Sequence, residues 1–555
     1  MRKAVLLAAI LLSGAASAKE VADTLYWNGP IYTADDANPK VEAVAVAKGR
    51  VLFAGSKKDA EKLKGKQTKL VDLKGAAMYP GFTDAHAHLR EVGERELTLN
   101  LEGSASLAAV MEAVKARAAA EPGSGLLFGR GWIETHWPEA RFPTRQDIDA
   151  VVSDRPVILE RADGHAVVLN SKALALAGID RNTPVPEGGY INKDAAGEPN
   201  GMVVDNALSL AYKLVPTPDA PYRAKAFKAA FDFETSHGWT GVHYMSVPWD
   251  DVVMLEDFAK KGEAPLRVYN AVEPDYFANL KKDGPHIASD GRIITRAVKF
   301  YMDGALGSRG AALLAKYSDA DTDGLLVSKK EDVLPVWIEA LKRGIQITTH
   351  AIGDRGNRLV LDWYQEAFAA VPEKDRLTQP PRWRVEHAQI IAPEDIARFA
   401  QLGVIPSMQP SHAIGDLDFA GKRLGDARLK EGYPWADLIK AGSIIPGGSD
   451  APVEKGDPRI EFYAAVARKA LDGHSGPGWH PEEAVDRATA LKMFTVWPAY
   501  ASFRERELGA IKPGMRADFT VFSKDLMTVP EPEILKAQAL LTVLDGKEAF
   551  HAPNW

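Results

Sequence analysis

Pro80-Gly81-Phe82-Thr83-Asp84-Ala85-His86-Ala87-His88 is the stretch on which the reading of this chain turns. Residues 78–85 read as a short strand, and alternate residues of a strand share a face. His86 and His88 therefore point the same way, at the strand's C-terminal end. Asp84 shares that face, either as a supporting group or as a plain turn residue. Two neutral imidazoles in such a place make half of a metal site. Two surface histidines are the plain alternative, because a His-x-His pair alone is a weak signal.

Outward from this strand, seven further short strand candidates follow: 240–246, 266–272, 297–302, 345–350, 383–388, 404–408 and 444–448. Helix-like stretches at 331–342, 357–370, 393–402 and 433–441 come after several of them. Eight strands alternating with helices predict an α/β chain whose centre is a (β/α)8, TIM-like barrel. A doubly wound sheet is the rival, but no Gly-rich phosphate turn follows the first strand. Both ends of the chain carry short strands and turn signals, among them Asn28-Gly29-Pro30, Pro513-Gly514 and Asp545-Gly546. They predict a small composite β-sandwich from residues 19–77 and 490–555. The barrel then occupies 78–88 and 238–489. Residues 89–237 are too many for a loop and are expected to form an inserted subdomain.

Bulk properties narrow the class. A chain of 555 residues fits two to four domains at about 100–200 residues each. Net charge is only −7, from 68 basic and 75 acidic residues, and no basic tract points to nucleic acid. Arg2-Lys3, the apolar run 4–12 and Ala16-Ser17-Ala18 read as a signal peptide over residues 1–18. An uncleaved anchor is the alternative, but the run is short against the roughly 20 apolar residues a membrane span takes. The expected mature chain is periplasmic or secreted, with no stable membrane insertion. With no cysteine in the sequence, thiol nucleophiles and thiolate ligands are excluded. Any metal must be held by His, a carboxylate or a modified Lys.

Several strand ends carry suitable groups. In Ala297-Val298-Lys299-Phe300-Tyr301-Met302-Asp303, residues 298, 300 and 302 form an apolar face, so Lys299, Tyr301 and Asp303 face inward. An inward Lys is costly unless it is paired or loses its charge. A neutral amine can take up carbon dioxide as a carbamate, a carboxylate able to bridge two cations. A salt bridge, with Asp303 for example, explains the strand equally well. His350 and His387 close two more strands, as ligands or as hydrogen-bonded barrel histidines. Asp450, after Gly447-Gly448-Ser449, is a turn cap or a ligand and proton carrier. His86, His88, Lys299, His350, His387 and Asp450 all fall at the strand ends where barrel active sites lie. Together they suffice for two divalent cations.

At this point a resemblance is plain. The chain resembles the amidohydrolase superfamily, and within it the amidohydrolase 3 family of metal-dependent hydrolases, which includes N-substituted formamide deformylases. The likeness runs over nearly the whole mature chain. It is carried by residues 80–88, Gly129-Arg130-Gly131-Trp132, Asp163-Gly164-His165, residues 299–309, His350-Ala351-Ile352-Gly353-Asp354, Glu386-His387-Ala388-Gln389, Gly448-Ser449-Asp450 and the ending from Pro513-Gly514 to Ala517-Asp518. It implies that His86, His88 and Asp450 hold one metal, that His350 and His387 hold a second, and that a carbamate on Lys299 bridges them. A mononuclear centre with Lys299 unmodified is the variant. Zn²⁺ suits His and carboxylate ligands, and Mn²⁺, Fe²⁺ or Co²⁺ also fit. At family level the likeness also suggests a homodimer.

Around this centre, His165 is a candidate to reach the substrate or to make a local hydrogen bond. Arg309 is a candidate for a substrate carbonyl or carboxylate, or for a surface salt bridge. Trp132, with Trp137, is a pocket wall or core. His412 is a weaker candidate, and His136, His243 and Tyr301 draw no role. The expected activity is hydrolysis of a C–N bond in an amide, N-acyl or cyclic amide small molecule, with Asp450 moving the proton. The same centre could serve ester or phosphoester hydrolysis or deamination. An inactive exported binding or regulatory protein is the reading from another class, and the complete set of candidate ligands argues against it.

Overall fold

Seven short parallel strands, hydrogen-bonded in sequence order, form the middle of the molecule: Phe82–Ala87, Trp239–Val247, Arg267–Val272, Ile293–Tyr301, Gln346–Ala351, Arg384–His387 and Ile405–Ser407. This computed structural model describes residues 20–555 except 135–136, 162–163, 165, 187–188, 474 and 476–478. The expected signal segment 1–18, His136 and His165 lie outside the described residues. A short antiparallel strand, His286–Ile287, flanks the fourth barrel strand.

The eighth place in the ring is not a regular strand. Residues 446–450 run between the seventh strand and the first and bond to both. Met408 N donates to Pro446 O (3.1 Å) and Gly448 N to Met408 O (3.0 Å) on one side. Ala85 N donates to Gly447 O (3.0 Å) and Asp450 N to His86 O (2.7 Å) on the other. Pro446 has no N–H to give to a ladder. A Cβ on Gly448 would stand 2.5 Å from the backbone nitrogen of His86. Glycine there lets the segment press against the first strand and close the barrel.

Alternation along each strand sorts its side chains. Val298, Phe300 and Met302 pack outward, in one core with Ile347, Val385, Trp337, Val360, Leu361 and Phe399. The last four lie on the helices Lys330–Arg343, Asp354–Ala370 and Pro393–Leu402. The third of these starts with Pro393 in its first turn and ends at Gly403 in the left-handed region (φ 65°), the usual proline-first, glycine-last punctuation. Lys299 points the other way, into the barrel, and is 1% exposed.

Both chain ends meet in one eight-stranded sheet, where Phe519–Phe522 runs antiparallel to Ala77–Pro80. Between the first and second barrel strands, the chain folds around a separate six-stranded sheet whose edges are Leu99–Asn100 and Gly189–Lys193. Among the described residues no helix is long and apolar enough to cross a membrane.

Candidate metal centre

The strand ends bring five of the expected residues around Asp450. Its Oδ1 lies 3.2 Å from His88 Nε2 and 3.4 Å from His86 Nε2. The His387 ring stands 4.7 Å, centroid to centroid, from His86 and 4.6 Å from His350. His88, Lys299, His350, His387 and Asp450 line one cavity of about 360 Å³. Donor atoms of His86, His88 and Asp450 all lie within 4.8 Å of one another, and so do those of His387, His412 and Asp450.

Polar groups behind the histidines fix which nitrogen faces the cavity. His86 Nδ1 is 2.7 Å from Glu386 Oε2, so it donates its N–H there and turns Nε2 inward. Glu386 is itself ion-paired with Arg384 at 2.7 Å. Arg384 also donates to Ala85 O (2.7 Å), Ser407 Oγ (2.8 Å) and His243 Nδ1 (2.8 Å), tying its own strand to three others. His387 Nδ1 meets the carbonyl oxygen of Gln409 at 2.8 Å, which again leaves Nε2 for the cavity. Asp84 accepts from the backbone nitrogens of His86 (3.0 Å) and Ser449 (2.9 Å), fastening the closing segment to the first strand.

The site leaves buried polar atoms without a partner. His86 Nε2, His350 Nε2 and Asp450 Oδ1 make no hydrogen bond to any described residue. Buried polar atoms are almost always satisfied, so these need an occupant. A divalent cation fits: the donors are imidazole nitrogens and a carboxylate that converge on one space. Backbone strain marks the same place. His387, Ala388 and Asp450 have φ of 72°, 44° and 61°, and such conformations cost of order 1–3 kcal/mol each.

Electrostatics favour the ligand protonation states. Burial first, and the Lys299 amine second, hold His86 well below its ordinary pKa and push His350 down to about 3. Burial, then the neighbouring His350, does the same to His387. Burial alone would raise the pKa of Asp450, but the surrounding histidines, His86 foremost, hold it well below the carboxylate range. Neutral imidazoles and an ionised carboxylate are what a cation requires. Burial lowers Lys299 to about 8, against the pull of Glu386 and Asp450. Asp303, the salt-bridge partner the sequence offers it, instead accepts from three backbone amides: Ile352 (2.9 Å), Ala312 (2.8 Å) and Gly353 (2.8 Å).

Comparison with known proteins agrees with this geometry. Residues 69–550 match the amidohydrolase family. The chain belongs to the amidohydrolase family. It is similar to a protein named amidohydrolase YtcJ of Bacillus subtilis, 34% identical over 536 residues, covering 94% of this chain and 99% of that one. It is also similar to the N-substituted formamide deformylase of Arthrobacter pascens, 27% identical over 542 residues, covering 95% and 98%. An uncharacterized metal-dependent hydrolase from Pyrococcus horikoshii superposes with a TM-score of 0.74 at 28% identity, covering 92% of this chain and 99% of that one.

The remaining candidates of this amidohydrolase fall elsewhere. Trp132 is buried in the core of the inserted segment, donates to Leu159 O (2.9 Å) and packs on Trp137. Arg309 is forked onto Asp319 at 3.0 and 2.9 Å. His412 is drawn into the cluster, with Nε2 3.4 Å from Asp450 Oδ2. Glu386, Arg384, Gln389 and Gln409 carry the site and were not singled out by sequence. Glu386 was visible beside His387, but its reach to His86 is a contact across the barrel.

Proposed function

We propose that this amidohydrolase cleaves a carbon–nitrogen bond, other than a peptide bond, in an amide, N-acyl or cyclic amide small molecule. One observation carries the reading: the unpartnered Nε2 of His350 and Oδ1 of Asp450 belong to residues lining a cavity of small-molecule size, and the unpartnered Nε2 of His86 lies 3.4 Å from that Oδ1. His86, His88 and Asp450 would hold one divalent cation and His350 and His387 a second, with Zn²⁺ the first choice. Lys299 would bridge them as a carbamate: its neutral amine bonds to the carbon of CO2 and loses one N–H proton. Bound cations supply an acidified water and a Lewis-acid grip on a carbonyl oxygen.

The chain's own groups do the rest. Glu386 and Gln409 orient His86 and His387. Asp450, ionised and in contact with both His86 and His88, takes the proton of the attacking water on an oxygen. It then hands that proton to the departing amine nitrogen. Leu306, Ile352, Phe419 and Val453 line the cavity and would offer an apolar wall to the substrate. The deformylase relative, by its name, acts on N-substituted formamides, which places N-formyl compounds first among those to try. The intact ligand set favours catalysis over a purely regulatory protein.

The test is a screen of metal-loaded protein against N-formyl, N-acyl and cyclic amide compounds, with esters, phosphoesters and aminated heterocycles alongside. Release of an amine from an amide supports the reading. Turnover confined to the other classes would assign the centre to a different bond. The segment 1–18 is proposed as an export leader, and N-terminal sequencing of the exported protein should begin at Lys19.

A further inference from the structure

Two glutamines hold two stacked imidazoles by opposite ends of the amide. The rings of His387 and His412 lie 5.7 Å apart with 24° between their planes. His387 Nδ1 faces Gln409 Oε1 at 2.8 Å. A carbonyl oxygen only accepts, so Nδ1 of His387 carries the proton and Nε2 keeps its lone pair. His412 Nδ1 faces Gln389 Nε2, also at 2.8 Å. An amide NH2 only donates, so Nδ1 of His412 is the acceptor and the proton sits on Nε2. His86 follows His387, with Nδ1–H given to Glu386. Thus two of these histidines are set as ligands and one is set as a donor.

The donor nitrogen has no fixed acceptor. His412 Nε2 is buried, makes no hydrogen bond to any described residue and lines the cavity that holds Lys299 and Asp450. It stands 3.4 Å from Asp450 Oδ2, beyond an ordinary N–H···O bond. By distance alone His412 also fits a metal site with His387 and Asp450. The protonated Nε2 argues against that use, because a nitrogen bearing a proton has no lone pair to give.

We propose that His412 is a catalytic residue that does not ligate metal. It donates Nε2–H to the carbonyl oxygen of the substrate as that oxygen gains negative charge, and Gln389 is the positioning residue that keeps the proton on Nε2. This rests on the carbonyl-hydrolysis reading above. A donor already aimed at the place where charge develops needs no reorganisation during the reaction.

Three measurements on wild type, His412→Gln and Gln389→Leu test it: bound metal per chain, binding of methylphosphonate as a tetrahedral-anion probe, and kcat with KM on the best amide found. Both variants should keep the wild-type metal content and melting temperature. His412→Gln should lose about 100- to 1,000-fold in kcat with little change in KM, as expected for one oxyanion donor. It should also bind methylphosphonate at least tenfold more weakly. Gln389→Leu should fall in the same direction by a smaller factor. Loss of a metal ion in His412→Gln would make it a ligand and overturn the proposal. Unchanged kcat and unchanged methylphosphonate binding in folded, metal-replete His412→Gln would also overturn it. If wild type cleaves no amide but the methylphosphonate difference holds, the bond assignment fails and the donor role stands.

Discussion

Glu386 sets the chemistry of His86 before any cation is considered. Ion-paired with Arg384, it accepts the hydrogen bond from His86 Nδ1–H, and both Glu386 and Arg384 are fully buried. Glu386→Gln should weaken metal affinity by about 10- to 100-fold, read by chelator competition. Asp450→Asn should keep the fold and lower kcat by about 100- to 10,000-fold, the usual weight of a positioned proton carrier. Lys299 gives a pH test. Only its neutral amine takes up CO2, and burial places its pKa at about 8. At a fixed concentration of dissolved CO2, carbamate formation on metal-free protein should therefore quicken as pH rises through about 8 and then level off, followed with isotope-labelled CO2. At this scale the candidate ligands stood out because each lies at or just past the end of a barrel strand or of the closing segment. Their orienting partners were not. Gln389 and Gln409 sit 20 positions apart in the sequence, and only the parallel pairing of their strands sets each beside a histidine.

At the scale of elements, strand alternation was the readable signal and the eighth stave was the exception. Segment 444–448 was expected to be a strand like the others, yet Pro446-Gly447-Gly448 makes it an irregular bridge with bonds on both sides. Composition explains both the expectation and the outcome: the flanking Ile444-Ile445 reads as strand, while proline and glycine spoil a ladder. The fourth strand also starts earlier than expected, at Ile293 rather than 297. Its first residues pair with Val268 and its neighbours on the third strand, a tertiary contact that periodicity does not carry. Gly448→Ala should be among the most damaging small substitutions, because its Cβ would collide with the backbone of His86. A loss of about 1–3 kcal/mol in stability is expected, together with loss of bound metal, measured by denaturation and metal content.

Over the whole molecule, barrel and terminal sheet share a core. Phe82, on the first barrel strand, packs against Trp239, Phe494 and Phe522, and Phe522 belongs to the sheet built from both chain ends. The strand that presents His86 and His88 is therefore braced by the last part of the chain. Phe82→Ala should cost about 3–5 kcal/mol, seen in chemical denaturation. The matching turn-rich texture of the two ends raised the expectation of one shared β unit, and strands from both ends lie in one sheet. Which strands would meet was not, because Phe519–Phe522 finds Ala77–Pro80 across more than 400 residues. In the function proposed above, this frame converges His86, His88, Lys299, His350, His387 and Asp450 on a pair of cations. Calorimetric titration of zinc into metal-free wild-type protein, in the presence of bicarbonate, tests it most directly. Saturation at two ions per folded chain is the predicted result, and saturation at one ion, or no binding at all, would contradict it.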